Sequence, residues 1–117
     1  MTPEEILSYP AKILSQGQRE SYFNKGFVSV PEIVPPDILG ELQRTTKDFV
    51  EQSKNVIQSD DRFDIGPGHT KDKPVLRRLK SPDTASEAYW NFSKGLMAEV
   101  AEDLVGPNVI FHHSKLN

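Results

Sequence analysis

The stretch LVGPNVIFHHSKLN, residues 104–117, decides how the chain folds. Gly106-Pro107 ends a helix, because glycine accepts the left-handed stop and proline cannot continue the helical hydrogen bonds. From Asn108 to Asn117 the run, with Val109, Ile110 and Phe111 near its start, predicts a strand still in progress at Asn117. Successive side chains of a strand point to opposite faces. His113 then shares a face with Phe111, Lys115 and Asn117, while His112 goes with Ile110, Ser114 and Leu116. Adjacent histidines on a regular strand cannot chelate one metal ion. The face with His113, Lys115 and Asn117 is polar, and reads either as a solvated sheet surface or as a ligand-facing wall.

Upstream of that strand, Ser81-Pro82-Asp83 starts a helix with Tyr89, Phe92, Leu96, Met97, Val100 and Leu104 on one stripe and Trp90 at its edge. Val75 to Leu79 predicts a strand, on which Arg77 and Arg78 face opposite ways. One can form a structural salt bridge, or clamp a carboxylate with two parallel hydrogen bonds. Residues 59–74 show no sustained period and read as a flexible loop carrying Asp60, Asp61, Asp64 and His69. Their spacing does not match a calcium loop, and Gly66-Pro67-Gly68 lacks the context of a phosphate loop. The segment reads as a surface turn, although its polarity and glycines also suit a lid.

Further back, Pro35-Pro36-Asp37 opens an amphipathic helix with Ile38, Leu39, Leu42, Thr45, Phe49, Val56 and Ile57 at helical spacing. Thr2-Pro3-Glu4-Glu5 has the form of a capping box and starts a short helix stopped by Pro10. Ser15 and Gln18 repeat the signal for a helix to about Lys25 that buries Tyr22 and Phe23, with Gly26 as its stop. Phe27 to Val30 predicts a short strand ended by Pro31.

At 117 residues the chain fits one small domain, 1–117, able to bury roughly two thirds of its unfolded surface. Fourteen basic against seventeen acidic residues give a formal charge of −3, which argues against a nonspecific nucleic-acid binder. The absence of cysteine excludes a disulfide scaffold, a thiolate metal site and a cysteine nucleophile. No run has the ~18 apolar residues of a membrane span, and the acidic N-terminus lacks a signal-peptide core, so a cytoplasmic location is expected.

Taken together, several segments resemble the amino-terminal part of the phytanoyl-CoA dioxygenase family of iron(II)- and 2-oxoglutarate-dependent oxygenases. Residues Gln18 to Pro31 resemble the family's helix, Asn-Gly-Phe/Tyr and strand entry. Ile33 to Leu39 resemble the start of its long helix, and Arg77 to Pro82 its arginine-bearing strand. Leu104 to Val109, running into His112 to Asn117, resemble its most recognisable block. The resemblance implies an α+β fold, with helices packed on a few strands of an incomplete double-stranded β-helix, or jelly roll.

In complete relatives a His-x-Asp pair and a distal histidine hold iron(II), and oxidative decarboxylation of 2-oxoglutarate drives hydroxylation of a small molecule. This sequence departs from that pattern. His69 is followed by Thr70-Lys71, His112 by His113-Ser114, and His113 by Ser114-Lys115, so no His-x-Asp is present. A jelly roll needs about eight strands, and only about three are predicted. The expectation is a front portion of such an enzyme, with no catalytic residue, metal ligand or cofactor of its own and no activity alone.

What carries over is a cavity wall. Arg78, or Arg77 if the register is reversed, and Asn117 match cofactor-facing positions; His113 and Lys115 match substrate-facing ones. The open sheet edges predict a homo-oligomer, with neither nucleic acid nor membrane as partner. The alternative is an independent protein-interaction or small-ligand-binding module without oxygenase activity.

Overall fold

The computed structural model describes all residues, Met1–Asn117. It is a mixed α/β chain, with six α-helices, one π turn and a three-stranded antiparallel sheet, and its contacts group it into two compact units. No helix is long and apolar enough to cross a membrane.

Unit 1 comprises Met1–Pro35 and Phe92–Phe111. Helix α1 (Pro3–Ser8) starts at a complete capping box, Thr2 Oγ1 accepting from Glu5 N while the Glu5 carboxylate accepts from Thr2 N. Helix α2 (Gln16–Lys25) repeats it with Ser15 and Gln18, and ends at Gly26 with φ at 82°. These signals act within a few residues, and each forms where the sequence predicts it. Phe27 to Val30 forms no strand, and Phe27 is 65% exposed. A β-prone run becomes a strand only where another edge meets its N–H and C=O groups, and all three strands of the chain belong to the other unit.

The buried side chains of α2 and of α6 (Ala98–Val105) are charged ones. Arg19 replaces Tyr22 and Phe23, which stay half-buried, as the anchor of α2. The Asp103 carboxylate accepts three successive backbone N–H groups, from Lys12, Ile13 and Leu14, each at 2.8 Å. Arg19 donates from Nε to the Asp103 carbonyl at 2.8 Å, and from its terminal nitrogens to the carbonyls of Ile6 and Tyr9 at 2.6 and 3.0 Å. One arginine and one aspartate thus meet the backbone polar groups of the turn between α1 and α2. Ile6 and Leu14 are the buried apolar residues beside them.

Unit 2 comprises Pro36–Asn91 and His112–Asn117. Helix α3 (Pro36–Ser53) buries Leu42, Phe49 and Ser53. It ends before Val56, which still packs on the core, whereas Ile57 is 93% exposed. Strands β1 (Phe63–Ile65), β2 (Leu76–Lys80) and β3 (Lys115–Leu116) form the sheet in that order. The core is Phe49, Phe63 and Leu79, with Val56, Leu76, Tyr89 and Leu116 against it.

Residues 59–74, read from sequence as loop, contain β1. Asp60 makes the entry turn, its Oδ1 accepting from Arg62 N and Phe63 N at 2.8 and 2.7 Å. Short local hydrogen bonds of this kind carry no periodic signature. Of the strand predicted from Asn108 onward, only Lys115 and Leu116 join a ladder. The helix predicted from Ser81 is interrupted: α4 (Pro82–Ala85) stops at Ser86, which is extended, and α5 (Glu87–Phe92) restarts beyond it. Ser86 Oγ accepts from Tyr89 N at 3.5 Å, so the serine serves as a cap instead of a mid-helix residue. Within unit 1, a π turn (Ser93–Met97) precedes α6.

Burial alone would raise the Asp103 pKa, but the N–H groups of Leu14, Lys12 and Ile13 and the Arg19 charge outweigh it, holding the carboxyl below the ordinary aspartate value. A depressed folded-state pKa stabilises fully above the unfolded value of ~3.9, and that stability is lost as pH falls through the folded value. Asp103→Ala leaves the N–H groups of Lys12, Ile13 and Leu14 without their acceptor and is expected to cost about 1–3 kcal/mol at neutral pH. Urea unfolding at pH 7 and pH 3 measures both effects, and the penalty shrinks at the lower pH. An unchanged midpoint at pH 7 would remove Asp103 from this role.

Candidate functional site

The site grows out of one irregularity in the ladder. Phe63 pairs with Leu79 and Asp64 with Arg78, but Ile65 pairs with Leu76, so β2 holds one residue more than β1 over this span. The extra residue is Arg77. In a regular strand, Leu76 and Leu79 would point to opposite faces; a bulge shifts the alternation between them. Both leucines consequently reach the Phe49–Phe63 core. Arg77 and Arg78 both remain exposed, and both line the same cleft rather than opposite faces.

That cleft has a volume of about 140 Å³. Phe49, Val50, Leu76, Leu79 and Leu116 give it apolar walls, and Arg77, Arg78, Asn117 and Thr46 supply its polar groups. Thr46 gives its hydroxyl proton to the Leu42 carbonyl at 2.8 Å, so the Tyr89 hydroxyl must donate to Thr46 Oγ1, at 2.5 Å. This chain holds Tyr89 beside Phe49, ring centroids 6.4 Å apart.

Arg78 Nε donates to Asn117 Oδ1 at 3.3 Å, which leaves the two terminal nitrogens of the guanidinium available. Asp64 stands opposite Arg78 in the register, yet its carboxylate accepts from Ser59 Oγ at 3.1 Å. Neither Arg77 nor Arg78 is ion-paired with a carboxylate. Two arginines without carboxylate partners over an apolar floor are chemically able to hold the charged end of a small organic anion, with the leucines against its carbon chain.

Of the four residues read from sequence as wall positions, the structure brings Arg78 and Asn117 together. His113 and Lys115 are exposed and lie outside the cleft. Lys115 stands opposite Lys80, whose ammonium is drawn to the Asp60 carbonyl at 2.8 Å. His112 and His113, assigned to opposite strand faces by alternation, instead have their rings in contact, because the backbone there forms no ladder.

His69 lies in no cleft with these groups. Its Nδ1 accepts from Val75 N at 2.8 Å, so its Nε2 carries the proton and donates to the Ser53 carbonyl at 2.9 Å. It ties the β1–β2 turn to the end of α3. No group of three or more histidine, aspartate or glutamate side chains converges on a possible metal position. The residues present do not fit an iron centre of the His-x-Asp type.

Arg19, Asp103 and the bulge at Arg77 are the features that sequence reasoning misses. Asp103 sits between Glu102 and Leu104, and Arg19 between Gln18 and Glu20, where each looks like a solvated helix residue. No family model, no curated protein and no solved structure matches this chain.

Gly66 sets how close the hairpin can approach the bulge. A Cβ there would lie 2.8 Å from Val75 Cγ1 and 3.1 Å from the Arg77 stem. Gly66→Ala is expected to cost about 1–3 kcal/mol by overpacking. In an Arg77→Ala background part of that cost disappears and the Val75 part remains, which a double-mutant unfolding cycle reads directly.

Proposed function

We propose that this chain forms the helical layer and one cavity wall of a phytanoyl-CoA-dioxygenase-like oxygenase, and that the Arg78–Asn117 cleft holds a small carboxylate, 2-oxoglutarate in that family's chemistry. The observation that carries this reading is the pair of guanidiniums without carboxylate partners, sharing an apolar-floored cleft with Asn117. The order of the resembling segments supports it: the arginine-bearing strand directly precedes Ser81-Pro82, and Asn117 comes from the block after Gly106-Pro107.

In this reading the terminal nitrogens of Arg78 take one carboxylate as a fork. Arg77 neutralises the second charge, and Leu76 and Leu116 cover the methylenes between. The volume of about 140 Å³ suits a small acid; drug-sized ligands occupy pockets above about 300 Å³. The antiparallel sheet β1-β2-β3 is a segment of the jelly-roll wall, and the setting is cytoplasmic. Redox chemistry comes from an iron centre whose ligands this chain's residues do not make. The chain alone therefore binds the acid without turning it over. A small-ligand-binding module is the second reading, favoured by the fact that the cleft needs no metal to hold an anion.

Calorimetric titration with 2-oxoglutarate tests the site. Losing a charge-assisted hydrogen-bond pair is worth about 1.5–3 kcal/mol, so Arg78→Ala weakens binding at least about tenfold. Asn117→Ala has a smaller effect in the same direction. Unchanged affinity in Arg78→Ala would place the ligand elsewhere. Equal affinity for acetate and 2-oxoglutarate favours the general binding module, and succinate released with added iron(II) refutes the inactivity.

The outer strands β1 and β3 each leave one edge of the sheet without a ladder partner. Such edges pair with other strands, and a second copy of the chain is the partner proposed here. Light scattering over a concentration series then shows a growing dimer fraction; a strict monomer at the highest concentration sinks this assembly.

A further inference from the structure

His69 is half-buried in unit 2, and each of its ring nitrogens has one fixed role. A backbone N–H can only donate and a carbonyl can only accept. Val75 N therefore fixes Nδ1 as an acceptor at 2.8 Å, and the Ser53 carbonyl fixes Nε2 as a donor at 2.9 Å. Only the neutral ring with its proton on Nε2 satisfies both. The two bonds act on different parts of the unit. The Ser53 bond docks the β1–β2 turn on the last residue of α3, whereas the Val75 bond closes the turn on itself. Within that turn Gly66 N donates to the Val75 carbonyl at 2.8 Å, and Thr70 N to the Lys73 carbonyl at 3.1 Å.

A second proton can enter the ring only at Nδ1. It converts the acceptor into a donor aimed at another donor, and the Val75 bond is lost. The Ser53 bond survives and gains charge, at the C-terminal end of a helix, where positive charge is favoured. We propose that His69 is a pH-sensitive latch of the hairpin, whose charged ring stays docked on α3 and releases the Val75 N–H. Lys54, just past α3, and Lys71, from the turn, line the hollow beside the ring. Lys54 is bonded to both oxygens of the Glu51 carboxylate, and β2 brings the Arg77 stem against the turn at Gly66. No carboxylate lines the hollow, so no ion pair replaces the lost bond. Val75 directly precedes Leu76 and Arg77, so the released amide adjoins the bulge whatever ligand the cleft takes.

Amide hydrogen exchange of the whole chain, read by NMR from about pH 8 to about pH 5, where histidines titrate, is the test. Corrected for the intrinsic pH dependence of exchange, Val75 protection falls roughly fivefold as the His69 ring signals titrate, the equivalent of one hydrogen bond. His69→Gln can still donate to the Ser53 carbonyl but has no acceptor at the Nδ1 position, so Val75 is weakly protected at every pH. His69→Asn puts an amide oxygen near that position and keeps Val75 protected throughout, while His112 and His113 still titrate. The pH series on the unaltered chain needs no variant to fold. Val75 protection that ignores the His69 titration overturns the latch. So does an acid-induced loss that persists unchanged in His69→Asn.

Discussion

Between Ile65 and Asp64 the ladder of unit 2 skips a residue of its partner strand, and the division between core and site follows from that skip. Without it, Leu76 and Leu79 would stand on opposite faces of β2, and only one could join Phe49 and Phe63. With it, both enter the core, and the inserted Arg77 joins Arg78 at the same cleft. A single backbone irregularity therefore closes the apolar cluster and concentrates positive charge beside it. Gly66 permits the feature by leaving room for the Arg77 stem and Val75. Bulges re-aim side chains in this way where a regular strand could not.

In unit 1 the corresponding constraint is polar. Asp103 gathers three consecutive N–H groups, and Arg19 gathers carbonyls from Ile6, Tyr9 and Asp103. A small apolar core of Ile6 and Leu14 does not by itself fix the path of the turn between α1 and α2. Directional bonds to a charged group do, because each removed partner would leave another group buried and unpaired.

The features legible in the sequence are those decided within a few residues. Thr2, Ser15 and Gly26 take the cap positions that their neighbours predict, and Pro36 opens α3. What escapes is decided by partners far along the chain. Phe27 to Val30 has strand propensity but no edge to join, and Phe63 to Ile65 becomes a strand because β2 supplies one. Asp103 reaches residues about ninety positions away, with no local sign of it. The site is partly legible for the same reason: Arg78 and Asn117 can be nominated from their segments, but the bulge that adds Arg77 belongs to the pairing of two strands.

The arginines then separate scaffold from site by how their donors are used. Arg19 spends its guanidinium on backbone carbonyls and Gln16, and Arg62 bonds the carbonyls of Lys80 and Ser81 and the Thr84 hydroxyl. The terminal nitrogens of both are bonded inside the fold, so an added anion would find them taken. Arg78 makes one bond, to Asn117, and Arg77 lies beside it without a carboxylate. Had Asp64, directly across the ladder, closed on Arg78, the cleft would be electrostatically spent. Its carboxylate bonds Ser59 instead, and Arg78 keeps no carboxylate partner, which is the condition the proposed binding of a small acid needs.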